Sequence, residues 1–262
     1  YSLPDSSHKG VTKMTKTANR QALFLLIISV LCSAATPVYR NTPPPGFVRL
    51  TEVIPTIRVD ARYHTADNFT GAPLPGYGEP DAWMLETAAK ALKKVQESLA
   101  VQGKGLLVYD AYRPKRGTKA MAAWAERTGQ IALITDGYIA RHSGHNHGHT
   151  VDLTLVDLET GNPLDMGTPW DTLDERSHTY KVKGLALTNR LLLKQEMEAV
   201  GFRFYYKEWW HFRMKLEGTR PRDVPYSCFE PPEGDWQPTP GWNQPGFVMP
   251  SNWSPSPCEA SP

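Results

Sequence analysis

The sequence has few cysteines, almost no net charge and no apolar run long enough to cross a bilayer. Three cysteines among 262 residues exclude a disulfide-dense scaffold. A formal charge of +2 excludes the strong positive field of a nucleic-acid or anionic-membrane binder. No internal repeat is found, and no Gly-rich phosphate loop follows a strand-like segment, which argues against a Rossmann-type fold. The longest apolar stretch, Ala22 to Ala35 (ALFLLIISVLCSAA), falls short of the roughly 20 residues a membrane-spanning helix needs.

What that stretch does resemble is an export signal. Met14 is read as the true start, Lys16 and Arg20 supply a positive flank, and Ser33 and Ala35 are small residues placed for cleavage before Thr36. An uncleaved anchor or a buried helix is the competing reading. Leu31 directly before Cys32 disfavours a lipoprotein. The expected location is exported, periplasmic or extracellular, with no stable membrane insertion after cleavage. Cys228 and Cys258 would then meet an oxidising compartment and are expected to pair.

Four regions follow: upstream residues and signal, 1–35; a Pro-rich leader, 36–45; the main folded domain, 46–228; and a Pro/Trp-rich extension, 229–262. In the third, Leu85, Ala88, Ala89, Leu92, Val95 and Leu99 recur with a helical period over 83–102. Leu106 to Tyr109 reads as a strand, and 114–127 as a helix opened by Pro114. Thr150 to Leu158 alternates as a strand, with Asp152 facing away from Val151 and Leu153. Residues 188–200 read as a helix with Thr188 as N-cap and Gly201 as its stop, and 202–214 as one aromatic-rich strand. The fold class is α+β: a single compact domain with a small, mainly antiparallel sheet flanked by helices.

Three local patterns carry chemistry. Arg141 to Asp152 (RHSGHNHGHTVD) holds four histidines, His142, His145, His147 and His149, close to a carboxylate. A catalytic zinc takes three protein ligands from His, Asp or Glu; a solvated polar loop is the plainer alternative. Glu208-Trp-Trp-His211 offers a general base beside a further ligand, or an aromatic core strand with polar residues facing solvent. Asp110-Ala-Tyr-Arg113-Pro114 could set a fixed positive charge beside an oxyanion, or a surface ion pair.

Taken together, DARYHTADNFTG (60–71), PGY (75–77), YDAYRPKR (109–116), SGHNHGHTVDLTL (143–155), MGTPWD (166–171), DERSH (174–178) and EWWHF (208–212) resemble the VanX-type D-alanyl-D-alanine dipeptidases, a branch of the zinc DD-peptidases. The resemblance runs over roughly 46–226. It implies one Zn²⁺ per chain, sited at the sheet and held by His145, Asp152 and His211, with Glu208 as general base and Arg113 as the transition-state arginine. Ser143, Tyr77 and Asp171 match positions associated with the substrate's amino group. The implied activity is hydrolysis of D-alanyl-D-alanine, a small dipeptide, in cell-wall turnover or salvage. A zinc DD-carboxypeptidase acting on stem peptides is the rival enzyme. A zinc-stabilised module that binds wall peptides without cutting them is the rival from another class. Oligomeric state is not read from the sequence. Because residues three apart on a regular strand face opposite sides, Glu208 and His211 can share one site only if the strand ends, bends or bulges between them.

Overall fold

A computed structural model describes residues 42–227. The signal, most of the leader, the extension and the Cys228–Cys258 pairing lie outside the described residues. In chain order the elements are β1 (Phe47–Arg49), α1 (Leu50–Val53), β2 (Arg58–Val59), β3 (Trp83–Leu85), α2 (Glu86–Ala100), β4 (Lys104–Asp110), α3 (Lys115–Arg127), α4 (Ala132–Thr135), β5 (Thr150–Asp157), α5 (Gly184–Ala199), β6 (Phe202–Tyr205) and β7 (Glu208–Met214). Short 3-10 turns occupy Arg62–His64, Gly144–His147 and Glu175–Ser177.

Five strands form one sheet in the order β2-β4-β5-β7-β6. Only the β2–β4 pair is parallel, so the sheet is mainly antiparallel, as the sequence suggests. β1 and β3 make a separate antiparallel ribbon. α2 and α5 pack on the sheet and on each other. Ala88, Ala89, Leu92, Val95 and Leu99 of α2 are completely buried, while Glu86 and Lys90 pair at 2.7 Å on its outer face. Each buried leucine contributes about 2 kcal/mol by leaving water. Gln96, on the buried side, accepts from Leu106 N–H at 2.8 Å and so fixes the helix against the start of β4.

Two sequence expectations need correction. The 202–214 strand is a hairpin, β6 and β7, because Tyr206 and Lys207 turn the chain. α5 starts at Gly184, not at Thr188, whose hydroxyl instead donates back to the Gly184 carbonyl at 3.3 Å. Among the described residues no helix is long and apolar enough to cross a membrane.

Candidate active site

The three central strands set their polar residues side by side. Asp110 on β4 lies opposite Asp152 on β5, and Asp152 lies opposite His211 on β7. Regular alternation alone would not do this. Val108 pairs with Leu153, so a regular β4 would turn Asp110 to Val108's face, into the apolar core; Tyr109 is an extra residue and flips Asp110 to Asp152's side. β7 is irregular too. Phe212 pairs with Phe204 while Glu208 pairs with Tyr205, leaving Trp209, Trp210 and His211 without partners on β6. This is the break that Glu208 and His211 require. Trp209 and Trp210 are both buried and meet edge to face, with centroids 5.2 Å apart.

His145 arrives from the turn before β5. Ser143 caps that turn: its hydroxyl accepts from His145 N–H at 3.3 Å, and Asn146 reaches back to Ser143 N–H. Gly148 ends it at φ +75, and a Cβ there would lie 2.0 Å from the Phe47 ring, so only glycine fits. His145 Nδ1 lies 2.7 Å from the Ala111 carbonyl. Donation to that oxygen leaves Nε2 as a free lone pair, the usual way of fixing a ligating tautomer.

Three potential donor atoms converge. His145 Nε2 lies 3.3 Å from Asp152 Oδ1 and 3.3 Å from His211 Nδ1, and His211 Nδ1 lies 3.0 Å from Asp152 Oδ1. A tetrahedral ion with bonds of about 2.0–2.1 Å holds its ligand atoms about 3.3 Å apart, so the triangle fits one such ion. Asp152 Oδ1 is fully buried and accepts a well-formed hydrogen bond from neither ring; an oxygen left so is placed for a metal. His145, Asp152 and His211 are the metal-competent group among the described residues. Burial lowers the proton affinity of His211, favouring the neutral ring a metal needs. Burial pushes the Asp152 carboxyl up, yet the two imidazoles outweigh it and hold the carboxyl well below its usual range.

Glu208 and Arg113 flank the triangle. Glu208 Oε2 is 3.5 Å from His211 Nδ1. Its carboxyl is raised well above the ordinary glutamate value, first by burial and then by Asp152 and Asp171. Arg113 is gripped by Asp110 through Nε at 3.0 Å and Nη2 at 2.7 Å, with Nη2 also 3.9 Å from Asp152 Oδ2. Burial opposes its charge, but Asp110 overrules it. Among the described residues Arg113 Nη1 meets the Met121 sulfur, at 3.1 Å, a weak acceptor that a stronger one can replace.

These groups face a cavity of about 260 Å³ lined by Arg113, Ser143, His145, Asp152, Asp171, Glu208 and His211, with Tyr138 and Tyr205 on the far wall. Tyr77 does not line it. Its hydroxyl donates to Asp110 Oδ1 at 2.6 Å, behind Arg113, because Asp110 is the buried acceptor within reach. The described contact of its hydroxyl is thus with Asp110 and, through it, with Arg113. Tyr63, not singled out from the sequence, does line the cavity; it donates to Asp171 Oδ2 at 2.8 Å and lies under the Arg113 guanidinium. Burial and then Asp152 raise the Asp171 carboxyl well above its usual range.

Asp171 belongs to an irregular segment and is the positive-φ non-glycine residue among those described, at +57. Arg190 of α5 holds this segment. Fully buried, it donates to the carbonyls of Met166 at 2.7 Å and His178 at 2.7 Å, and to that of Arg176 at 3.2 Å. Asp110 and Arg190 were both missed as functional residues. The i, i+3 spacing within DAYR was a signal for the first; an arginine in the apolar stretch of a helix was one for the second.

Comparison with known proteins gives the family. The profile of the D-ala-D-ala dipeptidase family of peptidases matches residues 44–231, and the chain belongs to that family. It is 39% identical over 185 residues to a D-alanyl-D-alanine dipeptidase of Enterococcus faecalis, covering 64% of this chain and 91% of that one. It is 38% identical to one of Enterococcus faecium, covering 69% and 94%. It is 35% identical to one of Escherichia coli, covering 71% and 93%.

Proposed function

We propose that this chain hydrolyses D-alanyl-D-alanine to two molecules of D-alanine, with one Zn²⁺ held by His145, Asp152 and His211. The observation that carries the reading is the 3.0–3.3 Å triangle of donor atoms with a buried carboxylate, Glu208, 3.5 Å from one of them. Two imidazole nitrogens and one carboxylate oxygen suit zinc, whereas Ca²⁺ and Mg²⁺ favour all-oxygen sets. When bound, zinc would supply Lewis acidity and make a water acidic near neutral pH.

The chain's own groups do the rest. Glu208, with its raised proton affinity, takes a proton from the attacking water as the new C–O bond forms. The same carboxyl then delivers the proton to the leaving amine as the C–N bond breaks. Arg113, held by Asp110, turns Nη1 toward the oxyanion that develops on the scissile carbonyl. Asp171, held by Tyr63, pairs with the substrate's ammonium, which relieves its own unfavourable burial beside Asp152. Ser143 lines the same wall.

A cavity of about 260 Å³ is small for a binding pocket, and a carboxylate at its amino end favours a free dipeptide over a stem peptide. Incubation of the purified protein with D-Ala-D-Ala and with a D-Ala-D-Ala-terminated pentapeptide tests this. Rapid cleavage of the dipeptide alone is expected; equal cleavage of both would make it a carboxypeptidase, and cleavage of neither by zinc-loaded protein would leave a binding module. Export, and with it a role in wall turnover or salvage, is proposed on Lys16 to Ala35; detection of the mature chain beginning at Thr36 outside the cytoplasm is its test.

A further inference from the structure

Beyond the catalytic cavity, across the wall made by Ser143 and Gly144, lies a second and larger groove of about 600 Å³. Its charged lining is entirely basic. Lys115 and Lys119 come from successive turns of α3, Arg213 from β7 and Arg141 from the segment before Ser143, and among the described residues no carboxylate lines it. Arg141 is paired with Glu126 at 2.7 Å. Lys115, Lys119 and Arg213 face no carboxylate within ion-pair distance among the described residues. His147 and His149 complete the floor with rings 5.2 Å apart. They do not make a second metal site, because three uncompensated cations share the groove and their Nδ1 atoms already meet the hydroxyls of Thr219 and Thr150. Such a groove calls for an anion.

The sequence supplies one. Residues 229–262 carry Glu230, Glu233, Asp235 and Glu259 and not one Lys, Arg or His. The overall charge of +2 thus hides a more positive body and a wholly acidic extension. The chain also passes the groove on its way there, since Thr219 and Pro221 line it. Three tryptophans, Trp236, Trp242 and Trp253, are available to lie over lysine and arginine heads. Frequent proline reduces the conformational freedom lost on docking.

We propose that this basic groove is the docking site for the chain's own acidic extension, residues 229–262, with Glu230, Glu233 and Asp235 against Lys115, Lys119 and Arg213. The inference does not rest on the reaction assigned above.

The test is zero-length carbodiimide coupling of the full-length chain, mapped by mass spectrometry, with isotopically heavy and light protein mixed. Expected are amide links from Lys115 or Lys119 to Glu230, Glu233 or Asp235 within one chain. They should fall about tenfold in 1 M NaCl, where the Debye length is about 3 Å. They should vanish in the Lys115→Glu/Lys119→Glu chain. They should return, with amine and carboxyl exchanged, when Glu230→Lys and Glu233→Lys are added; that rescue distinguishes lost docking from lost folding. Links only between heavy and light chains would assign the groove to a second copy. Absence of links in a chain whose lysines still couple to added acetate would leave it to a free anion. Either result, or links indifferent to salt, overturns the proposal.

Discussion

The two cavities that share the Ser143–Gly144 wall are electrostatic opposites. One is lined by three carboxylates, Asp152, Asp171 and Glu208, with Arg113, itself gripped by Asp110, as the buried cation. Burial and mutual repulsion raise Glu208 and Asp171 well above their usual range. The other gathers lysines, arginines and histidines, and burial there lowers His147 and His149. Neither arrangement is comfortable alone, because like charges in a low-dielectric site repel. Among the described residues the first cavity is lined by more carboxylates than fixed cations, which favours a cationic occupant, and the groove's charged lining is basic, which favours an anionic one.

The contrast breaks most severely at the metal. His211→Ala removes one corner of the donor triangle, and both bound metal and turnover should be lost. Glu208→Gln keeps the triangle and should retain metal while turnover falls about 10²- to 10⁴-fold, the usual cost of losing a general base. Metal content by elemental analysis beside the rate of D-alanine release separates the two. A zinc-loaded Glu208→Gln protein of near-normal activity would defeat the mechanism.

How much of this was legible beforehand depended on the distance over which each residue acts. Ser143, His145, Asp152, Glu208 and His211 lie in short patterns, and the strand pairing that joins them is local to β5 and β7. Residue type and order suggested a metal-binding group with a base, and the resemblance of those patterns to a known family implied which residues form it. The break in β7 could be derived as well, because two residues three apart had to reach one point. Asp110 could not, since its orientation depends on Tyr109 being the extra residue in β4, a fact about pairing with β5. The resemblance associates Tyr77 with the substrate's amino group, but the hydrogen bond from its hydroxyl to Asp110 depends on how residues 33 apart in sequence meet, which no local pattern shows. The β1–β3 ribbon and the two-residue β2 are too short to show a period, and the Tyr206–Lys207 turn is hidden by the aromatics on both sides.

A smaller change probes the support behind the first cavity. Asp110→Asn keeps the shape but loses the charge that holds Arg113 Nε and Nη2. Loss of such an outer partner typically costs about 10- to 100-fold. The effect is expected in kcat, with KM for the dipeptide nearly unchanged, because Arg113 is assigned to the developing oxyanion and not to the ground state. A rise in KM alone would move Arg113 to substrate binding.

Arg190→Met acts through the segment that carries Asp171. It strips hydrogen bonds from the Met166, Arg176 and His178 carbonyls, each worth about 1 kcal/mol or more when the acceptor stays buried. Lower thermal stability is therefore expected, together with a several-fold rise in KM and weaker rejection of an N-acetylated dipeptide. A purely structural role would lower stability without touching that rejection. Arg190→Lys should recover part of both, since an ammonium has fewer donors and a different reach.

The smallest expected effect lies in the basic groove and concerns acid stability. Burial, with His147 next, lowers His149 from the ordinary histidine value to about 4. Its folded value is depressed below the unfolded one, so the unfolded chain binds the proton more readily between the two. Stability is then complete above about pH 6.5 and is lost as the pH falls through that window toward 4. His149 borders the groove, so solvent screening leaves a contribution on the order of 1 kcal/mol. Carboxylates docked in the groove would raise His149 and narrow the window, so the comparison belongs in about 1 M salt, where they are released. Urea unfolding of the His149→Gln chain and its parent at pH 7 and pH 4.5 should then show a smaller pH-dependent loss in the variant. Identical losses would mean that His149 takes up its proton without disturbing the fold.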